Sequence, residues 1–213
     1  MPPAQTPLRR VVLATGNAGK QRELAALLAP CGFELILQTT LGIEPAEETG
    51  TTFTANALLK ARHAARASGL PALADDSGLE VDALGGRPGV WSARYAGSGA
   101  SDEANNAKLL AELSSVPATA RTARYRCVIA FVGSADDAQP VVTEGTWEGA
   151  IATDQRGGGG FGYDPLFIPA GQAATVAELG ATEKNAVSHR ALALQALCRH
   201  LDLRRVVALR VSQ

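Results

Sequence analysis

The run RRVVLATGNAGKQRELAALLAPCG, residues 9–32, does more than any other stretch to limit what this chain can become. RRVVLAT is short, apolar and rich in β-branched residues, which reads as a strand. From Lys20 the apolar positions Leu24, Leu27 and Leu28 recur at helical spacing until APCG stops them. FELILQT then reads as a second strand. Strand, glycine-bearing turn, helix and strand in succession predict an α/β protein.

The remaining chain fits that class. LGIEPAEETGTT is a polar loop carrying Glu47 and Glu48, and TFTANALLKARHAARASG is a helix closed by Gly69 and Pro71. Asn56 and Lys60 lie four apart on it, so they share a face. PALADDSGLEVDALGGRPG reads as an apolar strand ending in Asp75 and Asp76, a Ser-Gly turn, a short alternating strand and a Gly/Pro turn. SDEANNAKLLAELSS is a helix with Ser101 as N-cap. TARYRCVIAFVG and QPVVTEGTWEGAIAT are long antiparallel strands joined by SADDA, and SHRALALQALCRHL is a final helix with Ser188 as candidate N-cap.

Composition removes several classes of function. Over 213 residues, 46% hydrophobic and 19% charged content describes a globular chain able to bury a core. A net charge of −1 leaves no global footprint for nucleic acid or an anionic membrane, so any polyanion is met locally. Cys31, Cys127 and Cys198 are scattered and odd in number, suggesting neither a disulfide framework nor a zinc site and fitting a reducing cytoplasm. No run is long enough to span a bilayer, and residues 1–8 read as a frayed tail before a single domain over 9–213.

The first turn looks like a phosphate loop with the wrong residues. A Walker A loop needs glycine five positions before its Gly-Lys and Ser or Thr after it, where this chain has Ala14 and Gln21. The physics of anion binding survives: Thr15, Gly16, Asn17, Ala18 and Gly19 bring backbone N–H groups to a helix N-terminus, and Lys20 adds a charge. A strand-to-helix turn needs glycine for structural reasons as well. The acids Glu47, Glu48, Asp75 and Asp76 suit a hard cation, although most loop carboxylates are merely solvated. In GGGGFGYDPLF, Phe161 and Tyr163 either hold a flat ring or belong to a buried aromatic cluster. Lys184, His189 and Arg190 gather around another helix start, as donors to carbonyl or phosphate oxygens would.

Six motifs in order, TGNAGK, AEETG, FTANALLKARHA, ADDSGLEVDALGGRPGVWSARYAG, GGFGYDP and EKNAVSHR, make the chain from Val11 to about Leu201 resemble the inosine triphosphate pyrophosphatase family. The resemblance implies an elongated mixed sheet with flanking helices, two lobes around a central nucleotide-binding cleft, and usually a homodimer. It implies Mg²⁺-dependent cleavage of non-canonical purine nucleoside triphosphates (ITP, dITP, XTP) to monophosphate and pyrophosphate, cleansing the nucleotide pool. On that likeness Thr15 to Lys20 hold the triphosphate with help from Lys60, and Ser77 touches substrate. Glu47 and Asp76 match the metal ligands and Asp76 the proton acceptor, with Glu48 and Asp75 as secondary metal candidates.

At the base end the resemblance assigns Phe161, Gly162, Tyr163 and Asp164, together with Lys184, His189 and Arg190. Phe161 and Tyr163 would stack on the purine while Lys184 and Arg190 donate to a 6-keto oxygen, which adenine replaces with an amino donor. Two other readings compete: a Maf-type nucleotide pyrophosphatase of similar fold, against which FGYD and SHR argue, and a non-catalytic nucleotide sensor, against which the intact acids argue. GVWSARYAG, with Trp91 and Tyr95, is a candidate interface or equally core.

Overall fold

The computed structural model describes residues 9–29 and 32–211; the N-terminal tail expected over 1–8, and Cys31, lie outside them. The chain runs β1 (Arg9–Leu13), α1 (Ala18–Leu28), β2 (Phe33–Leu37), α2 (Phe53–Ser68), β3 (Ala72–Val81), α3 (Asp102–Glu112), β4 (Thr122–Val132), β5 (Val141–Ile151), β6 (Phe167–Pro169), α4 (Ala181–Val187) and α5 (His189–Val211). One six-stranded sheet is ordered β2-β1-β3-β4-β5-β6. β1 pairs parallel with β2 and β3, and every pairing from β3 to β6 is antiparallel. The expected mixed α/β sheet is therefore observed, and the opening strand–helix–strand run is a parallel crossover.

Alternation along β3 and β4 sends successive side chains to opposite faces of the sheet. On one face Leu73, Cys127 and Ile129 pack with Leu24 and Leu28 of α1 and with Leu194 and Leu197 of α5. On the other, Ala72, Ala74, Val128, Ala130 and Val132 meet Ala57, Ala61 and Ala64 of α2, where small side chains let the helix lie close. A third cluster joins Leu79 and Val81 to Leu109, Leu113, Tyr125, Tyr163 and Phe167 under α3. Each fully buried leucine contributes about 1.5–3 kcal/mol, so the cores outweigh any single polar contact. α5 approaches β5 so closely that a Cβ on Gly145 would stand 2.1 Å from the His189 carbonyl oxygen. Any larger residue there would push the start of α5 away.

The helix caps follow the local sequence. Thr52 accepts from Ala55 N, Ser101 from Ala104 N, and Ser188 from Ala191 N, while Gly69 ends α2 in the left-handed region. Three expectations need correction. ALADDSGLEV is a continuous ten-residue strand, with no turn at Ser77-Gly78, because β4 pairs with it along its whole length. The short elements α4 and β6 carry too few residues for a readable period and were not anticipated. Cys198 is disulfide-bonded, contrary to the expectation of no disulfide, and Cys127 is a buried free thiol.

Candidate active site

The cleft opens where β1 stops. β1 and β3 pair only through Val12–Ala72 and Leu13–Leu73, so the next residues of β3, from Ala74 onward, have no parallel neighbour. The vacated edge is filled by the turn into α1. There Asn17 Oδ1 accepts from Lys20 N, Thr15 Oγ1 accepts from Asn17 N, and Gln21 Nε2 donates to the Thr15 carbonyl. Gln21, which broke the Walker pattern, thus ties the turn closed. Asn17 is the helix N-cap, so its side chain already has a structural partner.

Asp75 and Asp76 sit side by side in sequence and on opposite faces of β3. Asp76 faces α2: its Oδ2 accepts from Asn56 Nδ2 at 3.1 Å and its Oδ1 lies 3.0 Å from Lys60 Nζ. The same ammonium stands 2.7 Å from Glu48 Oε1, and Arg94 Nη1 donates to Glu48 Oε2 at 3.1 Å. Asn56 also accepts from Gly50 N at 2.8 Å, fixing the acidic loop to the helix. Burial raises the Asp76 carboxyl above its ordinary value, with Glu48 adding to the rise against Lys60 and Lys20. Burial also acts upward on Glu48, but Lys60 and Arg94 prevail and lower it.

Asp75 faces α1 and α5. It is fully buried, with Lys20 Nζ at 2.9 Å, Arg190 Nε at 3.6 Å and Ser77 Oγ at 3.1 Å from its Oδ2. Burial would raise its carboxyl, yet Lys20, Arg190 and Lys60 hold it well below the usual carboxylate range. Beyond it lies a second cluster. Glu23 pairs with both Lys184 and Arg190, Lys184 Nζ is 2.6 Å from Asp164 Oδ2, and Arg190 Nη2 donates to Ser77 Oγ at 3.1 Å.

Phe161 lies across these cations, its ring centroid 4.7 Å from Lys184 Nζ and 5.8 Å from Arg190 Cζ. A Cβ on Gly19 would come within 2.7 Å of that ring, so glycine at this point of the turn is what lets α1 and the FGYD segment meet. The segment is itself held by α3, where Asp102 accepts from Gly162 N and Asn106 donates to Gly162 O. Tyr163 is buried, with its hydroxyl donating to Ser92 O. His189 stacks on Tyr125 with centroids 4.6 Å apart and planes 10° apart. Burial, Arg190 and Lys184 lower the imidazole well below its ordinary value, so the ring is neutral.

One cavity joins both clusters. Asn17, Lys20, Asp76, Ser77, Phe161, Gly162, Tyr163, Asp164, Lys184, His189 and Arg190 all line it, as does Glu48. Thr15, Gly16, Ala18 and Gly19 form the turn behind Asn17 and Lys20, and Lys60 reaches Glu48 and Asp76 from α2. Two expected acids are placed otherwise. Glu47 is exposed, and Asp75 lies behind Lys20 and Arg190 on the other face. Sequence reasoning missed Glu23, Arg94, Tyr125 and Asp102. Glu23 had a signal, lying three residues after Lys20 on one helix; Arg94 comes from a turn without one.

Among the described residues no group of three or more His, Cys, Asp or Glu converges on a point. Glu48 and Asp76 nevertheless form a two-carboxylate seat already filled by a cation, the Lys60 ammonium. Two hard oxygens meet what Mg²⁺ asks of a protein when substrate phosphates and water complete the shell.

An open α/β sheet carries this cleft, with acidic and basic groups at one end and an aromatic ring over fixed cations at the other, which defines its class as an α/β protein with a polar cleft at the sheet's parallel-to-antiparallel junction. Residues 11–200 match the model of the Ham1 family, and the chain belongs to that family. The chain is 57% identical over 193 residues to a dITP/XTP pyrophosphatase of Methylococcus capsulatus, covering 91% of this chain and 96% of that one. To the dITP/XTP pyrophosphatase of Shigella flexneri it is 55% identical over 190 residues, covering 89% and 96%. The solved HAM1 protein of Coxiella burnetii superposes with a TM-score of 0.85 at 46% identity, covering 92% of this chain and 99% of that chain.

Proposed function

We propose that this chain is a nucleoside triphosphate pyrophosphatase that hydrolyses non-canonical purine nucleotides, ITP, dITP and XTP, to the monophosphate and pyrophosphate. The names of its relatives support the class of reaction. The observation that carries the reading is the single cavity that has Asp76 and Glu48 at one end and Phe161, Lys184 and Arg190 at the other.

The triphosphate lies at the turn before α1, where N–H groups and the helix dipole favour negative charge and Lys20 and Lys60 neutralise the distal phosphates. Asp76 accepts the proton of the attacking water, and a carboxylate raised by burial is a better base than a solvated one. Water adds across the bond between the α and β phosphates, leaving monophosphate and pyrophosphate. When bound, Mg²⁺ would supply charge neutralisation at the phosphate oxygens, held by Glu48 and Asp76, with the expected Glu47 beside Glu48 on the same loop.

The base lies against Phe161, with Lys184 and Arg190 as donors to its 6-keto oxygen. Glu23 and Asp164 fix those donors before any base arrives, so orientation costs little on binding. An amino group in place of the keto oxygen would leave donors facing donors, each unpaired and desolvated. Tyr163 serves as a wall fixed by Ser92. The reading includes a homodimer, supported by Trp91, which is 57% exposed on the Gly89–Arg94 turn while Tyr95 is buried.

The test is product analysis with ITP, dITP, XTP, ATP and pyrimidine triphosphates, with and without Mg²⁺. Pyrophosphate and monophosphate should form from the first three in the presence of Mg²⁺, with ATP cleaved about 10²-fold more slowly or worse. Stepwise orthophosphate release, or a preference for pyrimidines, would sink the proposal.

A further inference from the structure

In the cleft, both carboxylate oxygens of Glu48 and both of Asp76 are already engaged. Lys60 Nζ lies 2.7 Å from Glu48 Oε1 and 3.0 Å from Asp76 Oδ1, while Arg94 takes Glu48 Oε2 and Asn56 takes Asp76 Oδ2. Lys60 is not a loose surface cation: its side chain is 13% exposed and it rises from α2, the helix packed on β1, β3 and β4. Glu48 and Asp76 come from different elements, a loop and a strand, and would repel one another without a positive charge between them. The ammonium they share offsets that repulsion.

A second cation cannot join the first at these oxygens, because two like charges at contact distance in a poorly hydrated cleft repel more strongly than in water. Lys60 must leave for a divalent ion to enter. Asp75, the neighbouring acid on β3, offers the displaced ammonium no seat, since it is already paired with Lys20 and Arg190. An incoming triphosphate supplies the missing anion. Resting on the function proposed above, we propose that Lys60 is a resident counter-cation. It keeps the Glu48 and Asp76 oxygens closed to a divalent ion until a triphosphate is present to receive the displaced ammonium. Metal and nucleotide then bind with positive coupling, each tightening the other by the same factor.

The test uses Mn²⁺ as probe, with free Mn²⁺ followed by electron paramagnetic resonance, on wild type, Lys60→Gln and the double variant Lys60→Gln/Glu48→Gln. Without nucleotide, Lys60→Gln should bind one Mn²⁺ about tenfold more tightly than wild type, within the usual range of coupling between sites. The double variant should lose that gain, which assigns it to the Glu48–Asp76 seat. In wild type, a non-hydrolysable α,β-imido analogue of ITP should tighten Mn²⁺ by a comparable factor, and in Lys60→Gln by much less.

Equal or weaker Mn²⁺ binding by Lys60→Gln, with the analogue still tightening wild type, overturns the counter-cation and leaves the proposed function standing. An analogue with no effect on Mn²⁺ binding by wild type overturns the counter-cation, whereas the proposed function falls only by the product analysis above. Circular dichroism checks the fold, and Lys60→Met replaces Lys60→Gln if the latter is unfolded. If neither variant folds, wild type alone decides: Mn²⁺ bound as tightly without the analogue as with it overturns the proposal.

Discussion

Asp75 and Asp76 are neighbours in one strand, and the two faces of β3 have put them to opposite uses. On the α1/α5 face, Asp75 is fully buried between Lys20 and Arg190 and is held ionised by them. On the α2 face, Asp76 shares one lysine with Glu48, lines the cavity and is pushed upward by burial. One carboxylate is surrounded by more positive charge than it can use and braces the site. The other is left with less and stays open to the cavity. A shared residue type and adjacent position therefore say nothing about a shared role when a strand separates the environments.

The strongest way to break this comparison is Asp75→Ala. Removing one partner of a buried ion cluster leaves the remaining charges uncompensated, at a cost of about 3–5 kcal/mol. The lower end applies, because Arg190 keeps Glu23. Urea denaturation should show this loss of stability, and a loss below about 1 kcal/mol would return Asp75 to the pool of metal-ligand candidates.

Asp76→Asn should act on turnover instead. Charge and basicity vanish while shape is kept, so pyrophosphate release should fall by about 10²-fold or more. Thermal stability at neutral pH should hold or rise, as expected where a site keeps an unfavourable charge for function. Near-normal turnover in a folded Asp76→Asn protein would remove it as the base.

The smallest effect sharpens the comparison through pH. Because the folded Asp76 carboxyl titrates above its unfolded value, the folded state holds that proton more tightly. Stability from this group is complete below the ordinary Asp range and is lost as pH rises through the folded value. Asp75 has the opposite sign: its contribution is present above the ordinary Asp range and is lost as pH falls. Asp76→Asn should thus become more stable relative to wild type as pH is raised from acid to neutral. Asp75→Asn should become less stable relative to wild type over the same change. Melting curves across that range read both, and parallel slopes would contradict the assignment.

Much of the architecture was legible because it rests on local physics. The strand–helix–strand start, the caps at Ser101 and Ser188, the stop of α2 at Gly69, and the long antiparallel β4 and β5 all follow from periodicity and capping residues. The six ordered motifs pointed to the family in which residues 11–200 place the chain. What was misread involved contacts distant in sequence. A Ser-Gly pair resembles a turn until a partner strand is known to run past it, as β4 does here. Glu47 and Glu48 look equivalent in a loop, and only the folded chain shows that Lys60 and Arg94 pair with Glu48.

The sequence by itself determined the order and class of the elements, the polar turn before α1 and the set of charged residues from which a site is assembled, since these depend on spacing within a few residues. The tertiary structure alone decided which carboxylate is buried among cations and which lines the cavity. β1 ends beside Leu73 and opens the cleft at the two aspartates. The pleat of β3 then turns them toward different helices, α2 on one side and α1 with α5 on the other. Electrostatic environment is a property of distance through space, and that distance is set by how the sheet and helices pack.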